Sequence, residues 1–151
     1  MIEKGTKAPD FAFTGSDGKT MNLSDLLGKK VVVYFYPKDS TPGCTAEACD
    51  FRDNYQMLLE KGFFVIGISA DNMTSHIKFA TKFDLPFPLV ADTEKKIIQA
   101  YGVWGPKKFM GRSYEGILRS TFVIDEKGIV EEVITKVETK ASTAQILELL
   151  K

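Results

Sequence analysis

Val31 to Tyr36 is a run of six valine, tyrosine and phenylalanine residues with no polar interruption, and Pro37 ends it. Such a run reads as a strand buried on both faces, the kind found inside a parallel or mixed sheet. A second apolar run, Phe63 to Ser69, follows after a stretch with helical spacing. Two buried strands joined through a helix make a crossover, and crossovers are right-handed in nearly all sheets. A chain with this unit has to cover both faces of a sheet, so an α/β architecture is the first expectation.

The flanking segments fit that expectation. From Cys44 to Glu60, Ala48, Phe51, Tyr55, Leu58 and Leu59 recur at three- and four-residue spacings, which predicts one long helix closed by Lys61-Gly62. Met73 to Phe83 reads as a second helix, ended by Leu85-Pro86-Phe87-Pro88 ahead of a short strand, Leu89 to Ala91. A helix from Glu94 to Tyr101 comes next. Gly102 to Gly116, with Pro106 and the single tryptophan, Trp104, reads as an irregular loop and a candidate site wall. Ile117 to Asp125 and Ile129 to Thr135 predict an antiparallel hairpin, and Ser142 to Leu150 a terminal helix. Near the start, Ala8 to Thr14 and Thr20 to Leu23, joined by Ser16-Asp17-Gly18-Lys19, suggest a short peripheral hairpin.

The resulting order, β-α-β-α-β-α-β-β-α, places parallel crossovers first and an antiparallel hairpin last. That is the thioredoxin-like arrangement, a central mixed sheet flanked by helices with an N-terminal hairpin extension. The 151 residues fit a single domain spanning 1–151, which at this size buries roughly two thirds of its unfolded surface.

Charge excludes some partners. Twenty basic residues balance twenty acidic ones, so nothing favours nucleic acid or an anionic membrane. The start, MIEKGTKAPDF, lacks the apolar centre of a signal peptide, and no apolar run approaches the roughly 18 residues of a membrane span. The expectation is a soluble, cytoplasmic protein that acts on small molecules or other proteins. In that setting its two cysteines, Cys44 and Cys49, read as reactive rather than as a disulfide scaffold.

Cys44 follows Thr41-Pro42-Gly43, which opens a helix, so it belongs in that helix's first turn. A cysteine with the ordinary pKa of about 8.5 is only a few per cent thiolate at neutral pH, and the thiolate is the nucleophile. Lowering such a pKa by two to three units takes about 3 to 4 kcal/mol. A helix N-terminus supplies at most ~2 kcal/mol, and a hydrogen bond from a charged donor adds about 1.5 to 3 kcal/mol. An arginine is the obvious donor to look for. Arg119 is favoured over Arg52 and Arg112, because it opens the strand Ser120 to Asp125 and is fixed by the same sheet. Thr41, three residues before Cys44, can direct its hydroxyl at the sulfur or a bound oxygen, or serve as an ordinary turn or cap residue.

These residues carry a resemblance. Pro37-Lys38-Asp39-Ser40-Thr41-Pro42-Gly43-Cys44 fits the Pro-x-x-x-Thr-x-x-Cys signature of peroxiredoxins. Cys44-Thr45-Ala46-Glu47-Ala48-Cys49 resembles the bacterioferritin comigratory protein subfamily, also called the PrxQ type. The likeness runs through Ala8-Pro9-Asp10-Phe11, Leu85-Pro86-Phe87-Pro88-Leu89 and Arg119-Ser120-Thr121-Phe122, covering nearly the whole chain. It implies reduction of hydrogen peroxide and alkyl hydroperoxides by a thiol, with no metal or organic cofactor and with a thioredoxin-type dithiol as reductant. It implies further that Cys44 is the peroxidatic cysteine and Cys49 the resolving one. Thr41 and Arg119 would orient and polarise the peroxide, Pro37 would shield the sulfur, and Glu47 would support the site. The subfamily leans towards a monomer, and a dimer is also compatible with the composition.

The cysteine spacing adds a mechanical expectation. Residues five apart on a helix rise about 7.5 Å and turn about 140°, leaving their Cα atoms about 8 to 9 Å apart. A disulfide needs about 7 Å or less, so Cys44 and Cys49 can join only if the helix unwinds. The competing readings are a thioredoxin-class oxidoreductase, which pairs its cysteine with another three positions on, and a noncatalytic redox switch or chaperone-like protein. Trp104 and Phe109 are candidates for a pocket holding the apolar part of an organic peroxide. His76, the single histidine, reads as a packing or surface residue, because one histidine and two distant cysteines make a poor metal set.

Overall fold

The two apolar runs lie side by side at the centre of the fold. The computed structural model describes residues 1–15 and 18–151, so the turn residues Ser16 and Asp17 lie outside the described residues. The first run is β3 (Lys30–Phe35) and the second is β4 (Phe63–Ser69), paired in parallel from Lys30 opposite Phe63 to Phe35 opposite Ile68. On the far side of β4 lies β5 (Leu89–Ala91), also parallel; on the far side of β3 lie β8 (Ser120–Ile124) and β9 (Val130–Ile134), each antiparallel to its neighbour. The sheet order is therefore β5-β4-β3-β8-β9. Between these strands run α1 (Pro42–Asp53), α2 (Tyr55–Glu60), α3 (Met73–Phe83) and α4 (Lys96–Ala100), and α5 (Ser142–Leu149) closes the chain. This is a mixed thioredoxin-like sheet covered by helices.

Both faces of β3 are covered, which is why its sequence shows no polar alternation. Val31, Val33 and Phe35 pack with Ile66, Ile68, Phe122 and Ile124 on one face. Val32 and Tyr34 pack with Val65 and Val123 on the other, beneath Ala48 and Phe51 of α1, Phe79 of α3 and Ile146 of α5. Phe51 is fully buried, with its ring centroid 5.0 Å from that of Tyr34, and truncating such a side chain typically costs 3–5 kcal/mol. That anchor lies beyond both cysteines on α1.

Three expectations need correction. The long helix is two, interrupted at Asn54, whose φ of −110° and ψ of 7° leave the helical range and whose side-chain amide also donates to the Asp50 carbonyl at 2.8 Å. The presumed irregular loop is a hairpin, β6 (Trp104–Phe109) with β7 (Arg112–Ile117), in register from Trp104 opposite Ile117 to Phe109 opposite Arg112. Its tip, Met110-Gly111, has φ of 51° and 79°, the two positive values a tight hairpin turn needs. Methionine in the first of those positions carries no turn signal, and Pro106 within a run argues against a strand except at an edge, so the pairing was hidden. Lastly, the N-terminal hairpin of β1 (Ala12–Thr14) and β2 (Thr20–Asn22) is not peripheral, since Phe11, Phe13, Leu23 and Leu26 cover one face of the sheet.

Candidate active site

The site lies where the parallel strands end. β3 runs into Tyr36 and Pro37, and four residues later Thr41 takes the N-cap position of α1 with extended backbone, followed by Pro42 at the first helical position. Cys44 is thereby set in the first turn, 1 % exposed, with the positive end of the helix dipole beside it. β8 runs antiparallel to β3, pairing Ser120 with Phe35. That register brings Arg119 to the same end of the sheet.

Arg119 Nη2 donates to Cys44 Sγ at 3.0 Å, and Nη1 donates to Glu47 Oε1 at 2.9 Å. The guanidinium lies against the backbone of Gly43, where a Cβ would stand 3.4 Å from Nη2, an ordinary contact distance. Arg52 is turned away, donating to the Phe83 carbonyl and pairing with Asp53, and Arg112 lies in β7. Of the three arginines, Arg119 alone donates to the sulfur. Burial alone would lower the Arg119 pKa, but the negative charges of Cys44 and Glu47 and the hydrogen bonds to both outweigh it and raise the value. A permanent positive charge thus faces the sulfur.

Glu47 is fully buried, one helical turn after Cys44 and so on the same face of α1. Burial pushes its carboxyl up to about 7 despite the Arg119 charge. Ser142, at the start of α5, has its hydroxyl 3.3 Å from Glu47 Oε2 and 2.8 Å from the Glu138 carbonyl oxygen. A protonated Oε2 can therefore donate to Ser142 while Ser142 donates to Glu138. Asp50 fixes the helix pair by accepting the Thr143 N–H at 2.8 Å, a carboxylate at a helix N-terminus.

The remaining candidates are placed as follows. Thr41 donates its hydroxyl proton to the Lys38 carbonyl at 2.9 Å, so its lone pairs, rather than its proton, are left for a ligand. Pro37 is half-buried at the end of β3. Cys49 is a free, half-buried thiol on the same continuous helix as Cys44. Trp104 packs against the opposite sheet face from Cys44, with Lys95 Nζ 4.8 Å from its ring centroid. Phe109 stands 66 % exposed near the hairpin tip. The same hairpin carries Lys107, whose Nζ donates to the Ile117 carbonyl at 2.8 Å. Burial, then the Arg119 charge, lowers the Lys107 pKa.

One match of sequence decides the family. A model of the AhpC/TSA family matches residues 4–133. The chain belongs to that family. This peroxiredoxin is 49 % identical over 150 residues to peroxiredoxin Bcp of Bacillus subtilis, covering 99 % of this chain and 96 % of the relative. It is 42 % identical over 150 residues to the Escherichia coli K12 peroxiredoxin Bcp, with the same coverage of 99 % and 96 %. Among solved structures, Xanthomonas campestris peroxiredoxin Q is similar with a TM-score of 0.84 at 35 % identity, covering 93 % of this chain and 89 % of that one. Xylella fastidiosa PrxQ is similar with a TM-score of 0.90 at 28 % identity, covering 99 % and 96 %. The chain is a peroxiredoxin of the Bcp/PrxQ type, and the class to which it belongs acts as thiol-dependent peroxidases.

Sequence reasoning left two features without a role. The Ser142 contact joins residues 95 positions apart, and no local pattern announces it. Around His76 the structure shows a buried polar cluster rather than simple packing: Asp39, Asp71 and His76 bring donor atoms within 4.8 Å of one another. These atoms already bond to protein groups, as set out below. No helix among the described residues is long and apolar enough to cross a membrane.

Proposed function

We propose that this peroxiredoxin reduces hydrogen peroxide and alkyl hydroperoxides through Cys44, with Cys49 resolving the product. The observation that carries the reading is the 3.0 Å contact from Arg119 to the Cys44 sulfur, braced by Glu47. The Cys44 thiolate attacks one peroxide oxygen; the S–O bond forms as the O–O bond breaks, giving Cys44 sulfenic acid and an alkoxide or hydroxide that takes a proton. Arg119 uses two of its five N–H groups in the contacts above, so others remain to bind the oxygen on which charge develops. Thr41, with its own proton held by Lys38, accepts from the peroxide O–H. Pro37 shields the sulfur from bulk water.

Resolution follows from the helix. The Cys49 thiolate then displaces hydroxide from the sulfenic acid, giving a disulfide, and the hydroxide takes up the proton that the Cys49 thiol released, giving water. On intact α1 the two Cα atoms are too far apart for that bond, so the segment bearing both cysteines unwinds while buried Phe51 keeps the rest of α1 in place. An external dithiol of the thioredoxin type reduces the disulfide, which fits a cytoplasmic setting. Both cysteines lie on one chain, so the cycle needs no second copy. The Xanthomonas campestris bacterioferritin comigratory protein, similar at 34 % identity, has been solved as a trapped intermediate and ligand complex bearing on its alkyl peroxide reduction, which supports extending the substrate class to alkyl peroxides.

The test is peroxide consumption with a dithiol reductant. Cys44→Ser abolishes turnover, and Cys49→Ser forms the sulfenic acid but no intramolecular disulfide. Insulin reduction without peroxide turnover would instead indicate a thioredoxin-class oxidoreductase. Full turnover by Cys49→Ser with a thioredoxin-type reductant would remove its resolving role.

A further inference from the structure

His76 and Asp39 form a buried pair that the peroxide chemistry above does not use. His76, on α3, is 2 % exposed, and Asp39, in the loop between β3 and α1, is 6 % exposed. The imidazole Nδ1 is 2.7 Å from Asp39 Oδ2, and Nε2 is 3.0 Å from the Val90 carbonyl oxygen. A carbonyl and a carboxylate only accept, so both ring nitrogens must donate, and histidine donates from both only as imidazolium. Placing the extra proton on Asp39 is the poorer solution. Burial alone would raise the Asp39 pKa, but hydrogen bonds from His76, Tyr36 and Ser75 outweigh it and hold the carboxyl below the usual range.

The pair ties down the loop that leads into the site. Asp39 Oδ1 accepts from the Tyr36 hydroxyl at 2.6 Å, and Oδ2 accepts from the Ser75 hydroxyl at 2.8 Å. Its backbone N–H donates to Asp71 Oδ2 at 2.8 Å, an oxygen that also takes the Ser69 hydroxyl at 2.8 Å. The groups facing His76 are therefore Asp39 from the loop, Tyr36 from the end of β3 at 3.4 Å, and the Val90 carbonyl from β5, with Asp71 one bond behind Asp39. Ser40, next in the loop, has φ of 63°, a left-handed conformation that disfavours a residue with a side chain. Such strain persists where neighbours over-determine it. Immediately after Ser40 comes Thr41, the N-cap of α1.

We propose that the Asp39–His76 ion pair is a latch that positions the Thr41 loop for peroxide attack and holds the first turn of α1 wound. His76 is then a positioning residue that sets the balance between the two chemical steps. A closed latch favours attack on peroxide; an open latch favours unwinding and disulfide formation. This role rests on the peroxidase reading given above.

The experiment uses the full-length protein mixed rapidly with hydrogen peroxide, quenched, and resolved by mass into thiol, sulfenic acid and disulfide. In His76→Phe the first step slows and the second quickens, each by about tenfold, within the range typical of coupled neighbours. Asp39→Asn shows the same opposed changes, and the double variant is no worse than either single one. Tyr36→Phe removes one donor to Asp39 while keeping the ring, and shifts both rates in the same directions by less, so the test stands if the other variants fold poorly. Unchanged rates, both steps slowed together, or additive effects in the double variant would each overturn the latch. Wild-type protein that forms no sulfenic acid would overturn the peroxidase reading instead.

Discussion

Replacing Arg119 with methionine keeps much of the side-chain bulk and removes every donor. Two contacts are lost, one to Cys44 Sγ and one to Glu47 Oε1. A hydrogen bond to a charged partner contributes about 1.5 to 3 kcal/mol. Expressed in the transition state, that range is a slowing of sulfenic acid formation by about 10- to 150-fold. Stability should suffer less than the loss of a buried ion pair suggests. Arg119 is what holds the Glu47 carboxyl down to about 7, so without it the group moves further up, takes a proton at neutral pH, and leaves no unpaired buried charge. Glu47 then donates to Ser142 instead. The assay is rapid mixing with hydrogen peroxide, quenching and mass analysis, run at pH 7 and again at pH 9. At the higher pH an ordinary thiol of pKa about 8.5 is mostly thiolate, so any slowing that persists there comes from lost peroxide polarisation rather than lost ionisation. Arg119→Lys keeps the charge but not the fork that spans both partners, and should recover only part of the rate. A methionine variant oxidised within about twofold of wild type at both pH values would refute the reasoning, since the contact is valued at tenfold or more.

Other outcomes follow from the same structure. Stoichiometric peroxide should lower the helical circular dichroism signal in wild type but not in Cys49→Ser, because the disulfide cannot span intact α1; a disulfide with no helical loss would count against unwinding. Glu47 has a folded value of about 7 against an ordinary 4.5, so the folded state holds more protons than the unfolded chain between those values. Stability therefore falls as pH rises through that window, by about 3 kcal/mol at most, and Glu47→Gln should flatten that part of the curve in denaturant titrations. A Cβ on Gly67 would meet the Tyr34 hydroxyl at 2.8 Å and Leu89 Cδ2 at 2.9 Å. Gly67→Ala should thus cost about 1–3 kcal/mol and lower the melting temperature by about 2–4 °C per kcal/mol; an unchanged melting temperature would mean that Tyr34 moves aside freely.

The sheet was legible because its signal is local and redundant. Val31 to Tyr36 and Phe63 to Ser69 are apolar on both faces, and only a covered interior tolerates that. The hairpin of β6 and β7 was not legible, since its turn places Met110 at positive φ and its strands are mostly exposed, with no alternation to read. The break at Asn54 is a departure in φ and ψ at a single residue, which periodicity cannot report. Trp104 looked like a site residue because it sat in an apparent loop near glycines; the pairing opposite Ile117 sends it to the other face of the sheet.

The same division runs through the site. By itself the sequence placed a cysteine at a helix start and a second one five residues on, a spacing at which the two can join only where the helix opens. These follow from covalent spacing and helix geometry, which need no neighbours. Arg119 was anticipated from its place at the start of β8, whereas the tertiary structure decided that Glu47 braces it and which partners reach Glu47 and Asp39. Arg119 arrives through the register of β8 against β3, Ser142 through the packing of α5 on α1, and His76 through the position of α3 under the β3–α1 loop. Those contacts span 72 to 95 positions for the Glu47 partners and 37 for Asp39 with His76. Pairings at such separations are set by how buried faces stack, and no short stretch of sequence contains that information.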